Sequence, residues 1–345
     1  MPKRKGSRPT LSDVAKSAGV SAQTASNVVR GRYELMRPET RAAVEIAMRQ
    51  LGYYPNIAAQ GLRSARTGTL GFLVLDEAPR YLADPLTALM IAGVGDVLRE
   101  ANYGLLVQAE RPEGRRRDLL KPVREGRVDG AFLLLSGDRR LRSWYVDQMA
   151  DSETPFVVFD ELIEDTRTLV VRSSERAASR ELTTRVLQAG KHRLGFIAAQ
   201  APWPVLEERY RGFCEAHQDA GVELQEDLHL FEATWEGEGG YEMASRLLSL
   251  PEPPTALVCG SDALAVGAMT AIRHSGRKVP TDVAVVGFDD FDFARFVDPP
   301  LTTVAVPAYE MGRIAARMLI DRLSGQPIPT PHIVLQNEIR WRASV

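Results

Sequence analysis

The sequence predicts an all-α helix-turn-helix domain followed by an α/β body of two Rossmann-like lobes with parallel sheets. Three observations predict this arrangement. The first 54 residues hold three short helical patterns joined by tight turns, net charge changes sign near residue 66, and from residue 69 short apolar runs alternate with helical segments. At 345 residues and 44% hydrophobic content, the chain is long enough for two or three domains with buried cores.

Charge separates the front of the chain from the rest. Residues 1–66 hold 12 Lys and Arg against 4 Asp and Glu, a net charge of +8, and since the whole chain carries −2, the rest carries about −10. A basic segment on an acidic body indicates a partner with many negative charges, most often nucleic acid, with membrane headgroups as the alternative. No run of about 20 apolar residues is present, so we expect a protein that does not span a membrane.

The front helices carry recognisable start and stop signals. The pattern TLSDVAKSAG offers Thr10 or Ser12 as an N-cap and Gly19 as a left-handed stop. The second helix follows Ser21, and the third, RPETRAAVEIAMRQLG, has a proline in its first turn and ends at a glycine. Two short helices separated by a few residues that include glycine form a helix-turn-helix. The weakly helical segment after them, residues 56–67, is predicted to be a hinge helix or linker.

The second helix has a polar face without charge. On a helical wheel, one face consists of Ala25, Val28 and Val29, and the opposite face of Ala22, Gln23, Ser26 and Asn27. A solvated face usually carries Glu, Lys and Arg, whereas Gln and Asn suit bidentate contacts with adenine edges and Ala suits the methyl group of thymine. The pattern therefore predicts base readout in the major groove, with an ordinary surface helix as the alternative. Basic side chains that could meet phosphates are Lys3, Arg4, Lys5, Lys16, Arg30 and Arg32.

The body shows the rhythm of parallel sheets covered by helices. Apolar runs occur in TLGFLVLD, YGLLVQA, VDGAFLLLS and PFVVFDE, about 20 to 30 residues apart, and the rhythm restarts in TLVVRS, RLGFIAAQ, TALVCGSD and VAVVGFDD. The restart predicts two similar lobes. Ligands of open parallel sheets bind beyond the carboxyl ends of the strands. The polar residues at those ends are Asp76, Ser136, Asp160, Arg172, Ser261, Asp262, Asp289 and Asp290.

The stretches PTLSDVAKSAGVSAQTASNVVRGR and RPETRAAVEIAMRQLGYYPNIAAQGLRS resemble the DNA-binding domain of the LacI/GalR family of bacterial transcription regulators. The resemblance continues in VDGAFLLLS, ERYRGF, CGSDALAVGAM, VAVVGFDD and PPLTTV, so it covers essentially the whole chain after the first eight residues. It implies a cytoplasmic homodimeric repressor that binds a palindromic double-stranded operator. It also implies an effector in the cleft between two lobes similar to periplasmic sugar-binding proteins. The implied domains are a headpiece (1–55), a hinge (56–67), an N-terminal lobe (68–167 and 303–328) and a C-terminal lobe (168–302 and 329–345).

Residue by residue, the resemblance implies specific DNA contacts. Bases are read by Ala22, Gln23 and Asn27, and phosphates are held by Thr10, Ser21 and Thr24. Two departures bear on the operator sequence, because Asn27 stands where Arg or His is common and Arg30 where Asn is usual. In the hinge, Leu62 stands where relatives insert a leucine into the minor groove, beside Asn56 and Ala59, and a packing leucine in a linker is the alternative.

The resemblance also implies effector contacts. Arg209 of the motif RYRG matches a guanidinium that grips effector hydroxyls or a carboxylate, and Asp160 and Asp289 match strand-end contacts. Ser261 replaces a frequent Asn, and Trp235 matches a stacking aromatic. The remaining candidates are Phe293, Asp76 and Ser136. For Asp262 and Asp290, helix capping is the equal alternative.

Arg172 lies in a segment that departs from the family pattern. Many sugar sensors have an acid at this place, so Arg172 either pairs with a carboxylate of its lobe or contacts an anionic effector. We expect a sugar or sugar derivative as the effector. A nucleoside, a purine or a small acid acting as a co-repressor is the alternative.

Catalysis and export are disfavoured by the sequence. No dinucleotide-binding, P-loop, zinc-protease or nucleophile-elbow motif is present, and the five histidines lack metal-ligand spacing, so no cofactor or metal is expected. Cys214 and Cys259 are too few for a disulfide framework. A purely ligand-binding transport protein and an α/β enzyme remain the rival classes. The C-terminus RWRASV lacks leucine heptads that would support a tetramer, which favours a dimer.

Overall fold

The computed structural model describes residues 9–29, 31–54, 66–76, 83–111, 118–200, 203–234 and 236–345. The chain divides into two compact units, Met1–Thr67 and Gly68–Val345. Five predicted site residues lie outside the described residues: Arg30, Asn56, Ala59, Leu62 and Trp235. Among the described residues, no helix combines the length and the apolar character that crossing a membrane requires.

The described residues of the front unit form three helices, α1 (Leu11–Ser17), α2 (Ala22–Val29) and α3 (Pro38–Leu51), with a short 3-10 turn at Tyr33–Leu35. Thr10, not Ser12, is the N-cap of α1, because its Oγ1 accepts from Asp13 N at 3.3 Å while Asp13 Oδ2 accepts from Thr10 N at 3.0 Å. This reciprocal pair is a capping box, in which each residue's side chain accepts from the other's backbone N–H. Ser21 Oγ accepts from Thr24 N at 3.0 Å, which confirms the predicted cap of α2.

Helix stops and helix packing in the front unit also follow the sequence. Gly19 and Gly52 have φ angles of +66° and +60°, the left-handed conformation that ends a helix. The core of this unit joins the apolar faces of all three helices and consists of Val14, Ala15, Ala25, Val28, Val44 and Ala47. Packing of this face leaves the opposite side of α2 outward.

The body begins with five strands of one sheet and the helices between them. In chain order these are β1 (Thr69–Leu75), α4 (Pro85–Glu100), β2 (Gly104–Glu110), α5 (Lys121–Arg124), β3 (Gly130–Leu135), α6 (Arg139–Asp151), β4 (Phe156–Phe159) and β5 (Leu169–Ser173). The second lobe follows with α7 (Glu175–Gln188), β6 (Leu194–Ala199), α8 (Pro204–Ala220), β7 (His229–Ala233), α9 (Gly237–Leu248), β8 (Ala256–Cys259), α10 (Asp262–His274) and β9 (Ala284–Asp289). The chain ends with β10 (Thr302–Ala305), α11 (Ala308–Leu323), β11 (His332–Leu335) and β12 (Glu338–Arg340).

Each lobe is built on one six-stranded sheet. The first sheet has the order β11-β5-β4-β3-β1-β2 and is parallel throughout. The second has the order β12-β10-β9-β8-β6-β7 and is parallel except for β12, which runs antiparallel to β10. Helix α11 packs on the first lobe, where Met311, Ala315 and Leu319 share a core with Leu70 and Phe72. The predicted α/β architecture with two parallel-sheet lobes is confirmed.

Three segments lie in the opposite lobe from the one predicted. β5, which was expected to start the second lobe, pairs with β4 and completes the first sheet. β10 belongs to the second sheet although 303–328 was assigned to the first lobe, and β11 belongs to the first sheet although 329–345 was assigned to the second. β5 and β10 pair with the strand that precedes them in the chain, so each of these boundaries falls after the strand and not before it, whereas β11 pairs with β5, which is far away in the sequence. An apolar run alone does not reveal its sheet. The chain therefore crosses between lobes three times, after β5, β10 and β11.

Helix α11 approaches α4 very closely. A Cβ on Gly93 would lie 2.0 Å from Tyr309 O, and a Cβ on Gly312 would lie 2.1 Å from Met90 O. Only glycine fits at these two positions. The contact holds the middle of α4, the helix whose first turns line the cleft between the lobes.

Candidate functional site

The outward face of α2 carries the predicted base-reading residues. Ala22 and Gln23 are exposed and Asn27 is half-buried, whereas Ala25 and Val28 of the same helix are buried. Gln23 Nε2 donates to Asn27 Oδ1 at 3.1 Å, so the two amides lie on one side of the helix, one turn apart. Each amide keeps further donors and acceptors for a base edge.

The predicted phosphate-binding hydroxyls are already engaged within the front unit. Thr10 Oγ1 donates to Asp13 Oδ2 at 2.8 Å, and Ser21 Oγ and Thr24 Oγ1 share a hydrogen bond of 2.8 Å. A phosphate contact by Thr10 would therefore exchange one charge-assisted hydrogen bond for another. The Arg41 guanidinium lies 3.8 Å above the Tyr33 ring and pairs with Glu45 at 2.6 Å, so this cation serves packing within the unit.

A cavity of about 320 Å³ lies in the body between the two lobes. The first lobe lines it with residues of α4 and of the ends of β1 and β4, and the second lobe with the first turns of its helices and the ends of β8 and β9. The polar and aromatic lining residues are Asp76, Asp84, Thr87, Asp160, Glu175, Trp203, Arg209, Glu236, Ser261, Asp289 and Phe291. The cavity therefore lies at the carboxyl ends of both sheets, where the sequence predicts a ligand site.

Arg209 is the centre of the cavity wall and is only 2% exposed. Its Nε donates to Glu175 Oε2 at 2.6 Å, its Nη1 to Gly260 O at 2.7 Å, and its Nη2 to Asp289 Oδ1 at 3.1 Å. The guanidinium also lies 4.5 Å above the Phe288 ring. Burial opposes its charge, but Glu175 and Asp289 outweigh burial and raise the pKa of Arg209. Among the described residues, Arg209 is the only cation that lines the cavity, and two carboxylates neutralise it.

Burial perturbs the acids of the cavity. It raises the pKa of Asp160 to about 7, helped by the negative charge of Glu175, while a bond from Ser173 N to Asp160 Oδ1 at 3.2 Å opposes the rise. Burial also raises the pKa of Asp289 well above its ordinary value. In Glu175 burial acts in the same direction, but the Arg209 charge outweighs it and holds the pKa below its ordinary value. The cavity is therefore an acidic site in which the Asp160 carboxyl titrates near neutral pH.

Five of the nine residues predicted to contact the effector line this cavity: Asp76, Asp160, Arg209, Ser261 and Asp289. Ser261 also caps α10, since its Oγ accepts from Leu264 N at 3.3 Å. Trp235 lies outside the described residues.

Ser136, Arg172 and Phe293 do not line the cavity. Ser136 is fully buried behind the end of β3. Arg172 lines an adjoining cavity of about 670 Å³ that shares Asp160 and Glu175 with the first one. Within the described part of the chain it makes no ion pair, so the predicted pairing with a carboxylate of its lobe is not found. Phe293 is 40% exposed and does not line the cavity of about 320 Å³. Its ring makes an edge-to-face contact with Phe291, which does line it, with 5.6 Å between the ring centroids.

Asp262 and Asp290 hold the loop after β9 and are not N-caps. Asp262 accepts from Thr303 Oγ1 at 2.5 Å and from Phe291 N at 2.9 Å, and burial raises its pKa to about 7. Asp290 pairs with Arg342 at 2.5 Å. These contacts hold the backbone at the cavity residues Asp289 and Phe291 in place, although neither Asp262 nor Asp290 lines the cavity.

Several residues that line the cavity lie at helix starts and were not predicted from the sequence. Asp84 caps α4 by accepting from Leu86 N at 3.3 Å and Thr87 N at 2.9 Å, Glu175 begins α7, and Trp203 precedes α8. The Asp-Pro and Trp-Pro pairs were visible as helix starts. Nothing in the local sequence indicated that these helix starts face the cleft.

Comparisons with known proteins match both units. Residues 10–56 match the family model of bacterial regulatory proteins, lacI family, and residues 183–345 match a periplasmic binding protein-like domain. The chain is 33% identical to the transcriptional regulator CelR of Thermobifida fusca over 98% of both chains. It is 31% identical to the repressor PurR of Mannheimia succiniciproducens over 97% of this chain and 98% of that one.

Solved structures show the same architecture. A CelR–cellobiose complex matches with a TM-score of 0.72 over 98% of this chain and all of that chain, at 33% identity. A lac repressor dimer bound to operator and the anti-inducer ONPF matches with a TM-score of 0.84 over 98% and 99% of the two chains, at 25% identity.

A helix-turn-helix unit followed by a two-lobed periplasmic-binding-protein-like body defines a ligand-responsive class of DNA-binding transcription regulators rather than enzymes. Within that class the chain belongs to the LacI family of bacterial regulatory proteins, as its resemblance predicted.

Proposed function

We propose that the protein is a cytoplasmic repressor that binds a palindromic operator as a homodimer and responds to a neutral, polyhydroxylated molecule in the cleft. The observation that carries the effector class is the charge of the cavity. Among the described residues, six carboxyl groups line it together with one cation, Arg209, which is already bonded to two of them.

Acceptor-rich walls of this kind suit a ligand that brings hydrogen-bond donors. Sugar hydroxyls donate to carboxylates, while the apolar lining and the rings of Trp203 and Phe291 suit the C–H face of a sugar ring. An anionic effector would meet uncompensated repulsion, since no cation among the described lining residues is unpaired. The cellobiose in the CelR complex, a structure of the same family, supports a neutral sugar.

On the DNA side, we propose that Gln23 and Asn27 read bases, that Ala22 contacts a thymine methyl group, and that Thr10, Ser21, Thr24 and Arg30 contact the backbone. Two headpieces would meet two half-sites of the operator. The hinge residues Asn56, Ala59 and Leu62 would contact the minor groove between them. An effector that prefers one angle between the lobes changes DNA affinity by linkage, and the direction of that change distinguishes an inducer from a co-repressor.

The effector proposal is tested by a thermal-shift screen of neutral mono- and disaccharides, nucleosides and sugar acids. A ligand at 100 times its dissociation constant stabilises the fold by about 2.7 kcal/mol. We expect at least one neutral sugar to stabilise the protein and to change its affinity for an operator-like palindrome. Stabilisation by sugar acids alone would contradict the argument from cavity charge, and stabilisation by nucleosides alone would favour the alternative effector class.

The DNA proposal is tested with Gln23→Ala and Asn27→Ala together, using a palindrome selected by the protein from random duplexes. Each bidentate base contact contributes about 1–3 kcal/mol of discrimination, so we expect at least a tenfold loss of preference over random DNA. Gln50→Ala removes an exposed amide from α3 and is the matched control. Unchanged preference in the double variant would refute base readout by this face.

A further inference from the structure

An ion pair between a buried arginine and a partly exposed glutamate joins the two lobes beside the effector cavity without lining it. Arg142 of α6, in the first lobe, is 3% exposed, and its Nη2 lies 3.3 Å from Oε1 of Glu207 on α8 of the second lobe. The same guanidinium donates through Nη1 to Gly137 O. Its Nε lies 2.6 Å from Glu161 Oε1, an ion-pair contact without the alignment of a hydrogen bond.

Both carboxylate partners of Arg142 are chain neighbours of cavity residues. Glu161 directly follows Asp160, whose φ of +58° turns the backbone so that Asp160 lines the cavity while Glu161 meets Arg142. Glu207 lies in the first turns of α8, between the cavity residues Val205 and Arg209. Arg142 therefore connects the two chain segments that contribute Asp160 and Arg209 to the site.

Glu161 and Glu207, which both contact Arg142, differ in their exposure. The Glu161 side chain is 11% exposed and belongs to the same lobe as Arg142, so this contact persists whatever the angle between the lobes. The Glu207 side chain is 39% exposed and belongs to the other lobe. Opening the cleft would release Glu207 into water while Arg142 keeps Glu161, so the cross-lobe contact can break without leaving a buried charge alone.

We propose that Arg142 is a positioning residue that ties α8 to the first lobe through Glu207, and that this ion pair stabilises the lobe arrangement that encloses the effector. The inference rests on the proposed function, since it concerns how the same cleft closes. Arg142 does not touch the effector. It acts by holding the wall that carries Arg209 against the wall that carries Asp160.

The decisive variant is Glu207→Gln, which removes the cross-lobe charge and leaves Arg142 paired with Glu161. A partly exposed ion pair contributes about 0.5–1 kcal/mol, which corresponds to a factor of about two to five in an equilibrium constant. We expect the Kd of the most stabilising sugar of the screen to rise by about that factor, through faster dissociation. The sugar concentration at the midpoint of the operator response should rise by the same factor, with the response at saturation preserved.

Two matched controls separate this role from a general loss of charge. Glu208→Gln removes the next carboxylate of α8, which pairs at 2.7 Å with Arg211 of the same helix. Arg140→Met removes an exposed arginine of α6. Both controls should leave the sugar Kd and the operator midpoint unchanged. Arg142→Met and the variant that carries both Arg142→Met and Glu207→Gln complete a double-mutant cycle. The sugar Kd of the double variant should differ little from that of Arg142→Met alone.

The outcomes distinguish this inference from the proposed function. Equal sugar Kd and dissociation rate in Glu207→Gln and the unsubstituted protein would overturn the inference, as would equal shifts in Glu207→Gln and Glu208→Gln. If no sugar binds the unsubstituted protein, the proposed effector class fails. The role of the Arg142–Glu207 ion pair is then tested by hydrogen exchange of residues 207–212 in ligand-free protein. Amides of Glu207→Gln should exchange faster than those of Glu208→Gln, and equal rates would refute the inference.

Discussion

Replacing Arg209 by Met tests the electrostatic centre of the cleft. The side chain is 2% exposed and bonds to Glu175, Gly260 and Asp289, so the variant leaves two buried carboxylates without their cation. Removing one partner of a buried ion pair costs about 3–5 kcal/mol. Arg211→Met on the same helix removes a 49% exposed side chain paired with Glu208, for which we expect about 0–1 kcal/mol.

The cost of Arg209→Met should depend on pH with a definite sign. In the unsubstituted protein Arg209 holds the pKa of Glu175 low, so the stabilisation from Glu175 is present above its unfolded pKa and is lost only as pH falls through the lower folded value. Without Arg209, burial raises the pKa of Glu175 above the unfolded value. The folded variant then binds protons as pH falls from 7 to 5. Each proton bound only by the folded state adds up to about 1.4 kcal/mol per pH unit to the free energy of unfolding.

Urea denaturation followed by circular dichroism at pH 7 and pH 5 measures both effects. We expect a loss of about 3–5 kcal/mol at pH 7 that becomes smaller at pH 5, together with loss of sugar binding. A loss below about 1 kcal/mol that is the same at both pH values would refute the claim that the buried carboxylates depend on Arg209.

Three further predictions follow from single contacts. Because burial raises the pKa of Asp160 to about 7, a sugar that donates to the ionised carboxylate should bind more weakly as pH falls from 8 to 6, and calorimetry should show that Asp160→Asn removes most of this dependence. Gly93→Ala should cost roughly 1–3 kcal/mol in urea denaturation because its Cβ would lie 2.0 Å from Tyr309 O, whereas Gly95→Ala, with open space around its Cβ, should be neutral or stabilising. Thr10→Ala should lower the thermal stability of the front unit by about 1 kcal/mol through loss of the α1 cap, and Ser12→Ala should leave it nearly unchanged.

The parts of the fold that local chemistry decides were predictable from the sequence. Thr10, Ser21 and Gly52 mark helix ends through contacts made within a few residues, and the apolar runs of the body mark the strands in the same way. Sheet membership was not predictable for β5, β10 and β11, because an apolar run does not show which sheet it joins. β5 and β10 pair with the strand before them in the chain, whereas β11 pairs with β5, far away in the sequence. The same limit explains why Glu175 and Trp203 were missed: their helix starts face the cleft only because three crossings fold the lobes together.

The departure at Arg172-Ser173-Ser174 leads to the opposite conclusion once the contacts are known. In the sequence it placed a positive charge near the site and left an anionic effector open. In the fold Arg172 lines the adjoining cavity and not the one that Arg209 lines, while Ser173 Oγ donates to Glu175 Oε1 at 2.7 Å and Asn337 Nδ2 donates to the same oxygen at 3.0 Å. These bonds orient the other oxygen of Glu175 toward Arg209, which it neutralises at 2.6 Å. The segment therefore supplies the acid that removes free positive charge from the effector cavity, which is the physical reason to expect a neutral ligand.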